Sequence, residues 1–414
     1  MLFHQLSYAM KRSQVYAIVA LVVVVAIVAG VVVTQFTAQP AGPEVVKIGA
    51  LEPLSGVFVS WGNKHLNGMK YAVEELNKRG GILGKPVELV VFDTKGDPKE
   101  AVTIFRKMVE EEGVIAVAGP VSSSVGLAAA KEAESLRVPL FLHMAGSHRI
   151  LTKESRFTFR TCLPAAPMNI EGIANFIKQE GYKRIGAIIA DYEWGHSIRQ
   201  AIEQYIIPIE GVQVQIEVAP LRTDDFTPYL RKLQDLNPEF LINTGHPPGN
   251  MKIPKQAIEL GFQLKGFIGS GTPPEAILKG LGDVAFQGAM DYACADYSSN
   301  AYKELAEKYY KDTGDFMEAH ALTGYVTVMM IADAIEKSQS FDPAVIADTI
   351  RNGRFVHPAY AWPLSYTEWG ELKEATPVYV TYKPGPPPGG INPDADWRIE
   401  VLFKSPPLTP YVPE

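Results

Sequence analysis

From Glu44 onward the chain alternates short apolar, β-branched runs with segments of helical spacing, and this alternation admits little besides parallel α/β layers. "VVKIGAL" reads as a strand. In "NKHLNGMKYAVEELNKRGG" Leu66, Met69, Val73 and Leu76 recur on one helical face, with Gly80-Gly81 as terminator. "VELVVFD" is the next strand. "DPKEAVTIFRKMVEEEG" then opens a helix with Asp97 as N-cap, Pro98 at the first helical position and Glu100 placed for a capping box. "VIAVAG", a helix running to Leu136 and "VPLFLHM" complete a first unit. After "RTCLPAAPMN" a second series begins, with "RIGAIIAD", "VQVQIEVAP", "EFLINTG" and "KGFIGSG" as strands and "SIRQAIEQYI", "FTPYLRKLQDL" and "IPKQAIELG" as helices. Two α/β units in tandem predict two lobes with a cleft between them, as 414 residues allow. The stretch from Lys383, "KPGPPPGGINPDADW", reads as a tail that hugs the surface or dangles.

The N-terminus carries a different signal. "VYAIVALVVVVAIVAGVVV", Val15 to Val33, is an unbroken apolar run long enough to cross a bilayer. Lys11 and Arg12 precede it and no basic residue follows until Lys47, so residues 1–14 are expected in the cytoplasm and everything beyond the span outside. The run is longer than a usual signal-peptide core, and "TQFTAQPAG" makes a poor cleavage site, which favours an anchor at 15–36 over a cleaved signal. The formal net charge of −7 argues against nucleic acid as a partner. Cys162 and Cys294 are too far apart for a CxxC motif, and their spacing leaves a disulfide and two buried thiols both open.

Ligands in open α/β sheets bind beyond the carboxyl ends of the strands. Those ends carry "PLSGVFVSWG", "GPVSSS", "HMAGSH", "ADYEWG" and "TGHPPGN". The serines after Gly119-Pro120 begin a helix, whose unpaired N–H groups make an anion site. Capping alone would explain one serine, but three hydroxyls and the second polar loop "AGSH" shift the reading to carboxylate binding. Trp61 and Trp194, each next to a loop glycine, read as ligand walls. Serine-hydrolase, dinucleotide, nucleotide and metal chemistry rank low, and no metal site is expected. "GPVSSSVG" does not fit G-x-S-x-G, no dinucleotide or Walker pattern occurs, and His143, His148, His246 and His320 lack the spacing of a helical zinc pair.

The stretches from "IGALEPLSGVFVSWG" to "GDPKEAV", together with "VAGPVSSSVGLAAA", "ADYEWG" and "GHPPGNMKIPKQAIELGF", resemble the leucine/isoleucine/valine-binding proteins, the solute-binding components of branched-chain amino acid ABC importers. The resemblance runs collinearly from about Val45 past "WPLSYTEWGELK". It implies a type I periplasmic-binding-protein-like clamshell whose chain crosses the hinge near Thr161 to Pro164, Met290 to Asp296 and Tyr360 to Pro363. Lobe 1 would then comprise 45–162 and 294–358, lobe 2 would comprise 163–293 and 359–400, and 401–414 would be a tail. Both cysteines fall at crossings. Relatives that carry a disulfide have it near the positions of Thr94 and Val121, so this chain departs from that pattern.

By the same resemblance Ser122 matches the serine that binds the ligand carboxylate, and Ala145 and Ser147 match the loop that meets carboxylate and ammonium. Trp61, Trp194 and His246 stand where the family usually has tyrosines, and His320 where it has an aromatic residue. The acid that pairs with the amino-acid ammonium is replaced by Gly271, leaving Glu275 as the nearest carboxylate. The expected protein is a membrane-anchored binder at the cell surface or in the periplasm. It would take a branched-chain amino acid or similar small carboxylate, deliver it to ABC permease subunits, and need no cofactor. A sensory receptor on the same clamshell is the alternative reading.

Overall fold

The computed structural model describes residues 42–244, 249–269 and 271–414. The first unit forms β1 (Val46–Glu52), α1 (Val59–Lys78), β2 (Val87–Asp93), α2 (Pro98–Arg106), β3 (Ala116–Gly119), α3 (Ser123–Leu136), β4 (Leu140–Leu142) and β5 (Thr158–Arg160). Its five strands are all parallel, in the order β2-β1-β3-β4-β5. That order reverses direction between β1 and β3, so the crevice of this sheet opens at the carboxyl ends of those two strands. Asp97 caps α2 as the sequence predicts, accepting from the Lys99 and Glu100 N–H groups. The reciprocal half of the expected capping box is missing, because Glu100 reaches Lys95 instead (3.3 Å) and the Asp97 N–H is taken by the Thr94 carbonyl.

The second unit runs through α4 (Ala166–Glu180), β6 (Arg184–Ala190), α5 (Glu193–Tyr205), β7 (Gln213–Ala219), α6 (Thr227–Lys232), β8 (Phe240–Ile242), α7 (Gly249–Glu259), β9 (Gly266–Ile268), α8 (Pro274–Leu281) and β10 (Ala289–Ala293). Here the parallel order is β10-β9-β8-β6-β7, which repeats the first topology with its reversal between β6 and β8. After β10 the chain makes α9 (Asn300–Thr313), α10 (Ala319–Ser338), α11 (Pro343–Asn352) and a small pair, β11 (Arg354–Phe355) with β12 (Leu364–Ser365). It then adds β13 (Val378–Pro384) and β14 (Trp397–Lys404) antiparallel to the edge of the second sheet. The Pro- and Gly-rich stretch from Lys383 is therefore no free tail. Lys383 and Pro384 pair with Arg398 and Trp397, and the prolines form the loop of an edge hairpin, where missing N–H groups cost nothing.

Although α10 follows the second sheet in sequence, it packs on α1 of the first unit through two glycines. A Cβ on Gly68 would stand 1.8 Å from the Ala321 carbonyl oxygen, and one on Gly324 would stand 2.1 Å from that of His65. Gly324→Ala is expected to cost about 1–3 kcal/mol, as overpacking does, read as a lower denaturant midpoint at unchanged slope.

Three passages connect the two sheets and lie side by side. The Tyr292 hydroxyl donates to the Cys162 carbonyl (2.7 Å), Tyr360 donates to that of Thr161 (3.1 Å), and the Ala361 N–H donates to that of Cys294 (2.8 Å). Cys162 and Cys294 are joined by a disulfide with 5.5 Å between their Cα atoms. The expected anchor, Val15 to Val33, lies outside the described residues. Among those described, no helix is long and apolar enough to cross a membrane.

Candidate ligand-binding cleft

β3 ends at Gly119, whose positive φ and close approach to β1 admit no side chain; a Cβ there would meet the Leu51 carbonyl at 2.2 Å. Pro120 and Val121 then lead to Ser122, the N-cap of α3. Its backbone is extended but its hydroxyl does not cap, and this 4 % exposed side chain makes no hydrogen bond among the described residues. The three serines thus have separate fates. Ser122 is free, the Ser123 hydroxyl accepts from the Ser147 N–H (3.1 Å), and Ser124 stands half-buried. The Ala145 N–H likewise has no acceptor among the described residues, so a free hydroxyl and a free N–H lie in the two loops that the sequence reading singled out.

Ser147 departs from the expectation that it meets the solute carboxylate. Its hydroxyl donates to Glu193 (2.5 Å) and accepts from Ser197 (2.8 Å) and the Arg149 N–H (3.2 Å), which exhausts its capacity. Glu193 begins α5 of the second unit, so this is a clasp between lobes, reinforced by Arg149 (Nε to Oε1, 2.8 Å). Burial alone would raise the Glu193 carboxyl, but the bonds from Arg149 and Ser147 outweigh it and hold the group below its ordinary value. Arg160, fully buried, secures the same loop from beneath. It donates to the carbonyls of Ala145 (2.6 Å) and Ser147 (2.7 Å) and pairs with Glu371 (2.8 Å).

The two tryptophans expected to wall the ligand lie near the strand reversals, each in the first turn of a helix. Trp194, one residue into α5, donates to the Thr244 hydroxyl just beyond β8 (3.0 Å), and its ring lies so close to Gly146 that a Cβ there would come within 2.3 Å. Trp61 is 5 % exposed and meets Phe58 edge to face, and Phe58 in turn touches Tyr192 of the second unit. His246 lies outside the described residues.

Gly271 has φ +72°, and a Cβ there would stand 2.5 Å from the terminal methyl of Met144, just beyond β4, and 3.6 Å from the His320 ring on α10. An acid at this position would need a left-handed backbone and would have to displace the Met144 methyl. The carboxylate found nearby is Asp291 on β10, which accepts from the N–H groups of Gly271 (2.5 Å), Thr272 (2.9 Å) and Tyr292 (2.8 Å) while burial pushes it up to about 7. Glu275 is also engaged. Lys64 of α1 donates to it across the cleft (2.7 Å) and to Asp315 (2.6 Å). Burial would lower the Lys64 ammonium, yet Glu275, Glu318 and Asp315 together hold it above its ordinary value.

Beneath these loops lies a cluster the sequence reading missed. Glu52 ends β1, His143 follows β4, His65 stands on α1 and His320 begins α10, and all four are buried. His143 Nδ1 is 2.8 Å from one Glu52 oxygen, His65 Nδ1 is 3.4 Å from the other, and His65 Nε2 is 3.2 Å from His320 Nδ1. Burial pushes Glu52 up to about 7 against the pull of His143. It also pushes His143 and His320 down to about 4, and His65 well below its ordinary value. The available signal was positional: Glu52 and His143 each stand at a strand's carboxyl end. Nothing in their spacing, however, pairs residues 91 positions apart.

Loops from the carboxyl ends of two parallel sheets of matching topology thus meet around Ser122, Ser147, Trp61 and Trp194. Comparison with known proteins agrees. A curated relative from Pseudomonas aeruginosa, the leucine-, isoleucine-, valine-, threonine-, and alanine-binding protein, is 26 % identical over 349 residues, covering 83 % of this chain and 92 % of its own. The crystal structure of a leucine-binding protein from Thermotoga maritima superposes with TM-score 0.75 at 24 % identity, covering 87 % of this chain and 99 % of its own. An ABC-transporter solute-binding protein from R. palustris in complex with benzoate shares the fold with TM-score 0.74 at 15 % identity, covering 88 % and 97 %. The periplasmic binding protein family model matches residues 45–374, and with the doubled topology and the meeting loops in place the chain belongs to that family.

Proposed function

We propose that the protein is the solute-binding component of an ABC importer and that its solute is a small carboxylate without an ammonium group. One observation carries this reading. Ser122 and the Ala145 N–H are free to receive an anion, while the carboxylates of the surrounding described loops each already have a partner: Glu52 histidines, Glu193 Arg149, Asp291 backbone N–H groups, Glu318 the N–H groups of His320 and Ala321, and Glu275 Lys64 through one oxygen, its Oε2 being buried without a hydrogen bond. An ammonium buried there would have no carboxylate of its own and would have to share Glu275 with Lys64, and burying it unpaired costs several kcal/mol. Trp61 and Trp194 supply apolar walls instead. The relatives' names span both chemistries, a branched-chain amino acid binder and a benzoate complex.

The work done is binding and closure, with no bond made or broken. A solute that bridges Ser122 and Trp194 adds its affinity to the Ser147–Glu193 and Lys64–Glu275 clasps, which exist only when the lobes meet. Calorimetric titration with leucine, its 2-oxo analogue and benzoate tests the reading. One of the two carboxylates lacking an ammonium is expected to bind at least about tenfold more tightly than leucine, and tighter leucine binding would overturn the assignment. Ser122→Ala should weaken the carboxylate by about 1.5–3 kcal/mol, tenfold or more, with the fold intact, whereas Ser124→Ala should do much less.

The run Val15 to Val33 is assigned as an uncleaved anchor that holds the binding unit at the outer face of the membrane beside its permease. Membrane fractionation with N-terminal sequencing tests it. A soluble form beginning near Gln39 would overturn the anchor and leave the binding assignment untouched.

A further inference from the structure

Histidine is scarce in this chain, eight in 414 residues, yet His65, His143 and His320 gather around one fully buried carboxylate. We propose that Glu52, His65 and His143 form a binding site for a single divalent transition-metal ion, with His320 supporting it from behind. Ligand atoms of Glu52, His65 and His143 lie within 4.8 Å of one another, the one such group among the described residues. The 3.4 Å contact from Glu52 to His65 Nδ1 matches neighbouring ligands on a tetrahedral ion with bonds of about 2.0–2.2 Å, while the 2.8 Å contact to His143 Nδ1 is of hydrogen-bond length and would widen on binding. The longer of the two is stretched for a hydrogen bond to a carboxylate, which runs at about 2.7–2.9 Å. An ion between His65 and Glu52 makes that spacing ordinary.

Two further observations point the same way. His143 Nε2 is buried with no hydrogen-bond partner, so the cluster is not a closed hydrogen-bond network and keeps an imidazole nitrogen in reserve. His65 Nε2 is held 3.2 Å from His320 Nδ1, the outer hydrogen bond that orients a metal-bound imidazole. The spacing of those two rings is set rigidly by the backbone contact of α1 with α10 at Gly68 and Gly324. Two imidazoles and one carboxylate suit zinc, cobalt, nickel or iron(II) rather than calcium or magnesium, which prefer all-oxygen shells. Three protein ligands leave a position for water or a solute oxygen. A divalent ion also offsets the charge of a carboxylate that is otherwise fully removed from water. Because Glu52 and His143 stand at carboxyl ends of the sheet, below the loops that meet the second lobe, the ion enters from the cleft before closure.

The inference is independent of which solute the cleft takes. Untagged full-length protein, stripped with EDTA, is titrated with Co²⁺ and followed by its visible ligand-field absorption. One equivalent should bind, and Zn²⁺ should displace it and raise the melting temperature. His143→Gln and His65→Gln should each weaken Co²⁺ binding at least about tenfold, while His148→Gln, outside the cluster, should not. If His65→Gln fails to fold, His143→Gln decides alone, its amide keeping a donor for the Glu52 oxygen that Nδ1 now meets at 2.8 Å. Absence of saturable Co²⁺ uptake, or uptake unchanged in His143→Gln, would overturn the site.

Discussion

Arg160→Leu is expected to destabilise the protein by about 3–5 kcal/mol, the usual cost of removing one partner from a buried ion pair. The guanidinium and the Glu371 carboxylate are both almost wholly excluded from water, and burial already raises the Glu371 carboxyl with Arg160 beside it. Without Arg160, Glu371 keeps its N–H bond from Leu372 but loses its counter-charge, the Ala145 carbonyl loses its donor, and that of Ser147 keeps only the Ile150 N–H (3.3 Å). Arg160→Lys should recover only part of the loss, because an ammonium cannot serve a carboxylate and two carbonyls in the planar geometry of the fork. The double variant Arg160→Leu/Glu371→Leu should be more stable than Arg160→Leu alone, since no charge is then left unpaired. Guanidinium unfolding of the three variants measures this. A loss below about 1 kcal/mol in Arg160→Leu would show that the loop bearing Ala145 and Ser147 does not depend on the pair.

Replacing Cys162 and Cys294 together by alanine should cost about 3–5 kcal/mol. The bond closes a loop across 132 positions of sequence, for which the chain-entropy model gives about 5 kcal/mol at 25 °C; measured values commonly run lower. Solute affinity should change little, because the bond ties two adjacent passages at the hinge rather than spanning the cleft. Equilibrium unfolding measures the first expectation and calorimetry the second. Thiol labelling of denatured, unreduced wild-type protein should find no free cysteine; two labelled thiols would refute the bond.

The order of elements could be read from periodicity because a strand or helix in an α/β layer announces its buried face locally. "VELVVFD" is β2 residue for residue, and the helix predicted to end at Leu136 ends there. The first helix begins at Val59, ahead of the expected start, because it enters from a short 3₁₀ turn at Gly56–Phe58 rather than from a capping side chain. The Pro-rich stretch near the end was misread as loose because proline content is a local property, whereas the edge of a distant sheet decides whether such a chain is paired.

The site divides in the same way. Sequence by itself determined that Ser122 begins a helix after a strand end, since that concerns a residue and its immediate neighbours, whereas Trp61 and Trp194, read as loop residues beside glycines, stand in the first turns of α1 and α5. Only the tertiary structure decided what each polar group has for a partner. It engaged the Ser147 hydroxyl with Glu193 and one oxygen of Glu275 with Lys64, put a left-handed glycine beside the Met144 methyl where the acid was expected, and set His143 against Glu52. The reason is physical: a buried hydrogen bond takes whichever donor the fold brings within about 3 Å, and contacts such as Lys64 to Glu275, 211 positions apart, leave no periodicity in the chain to mark them.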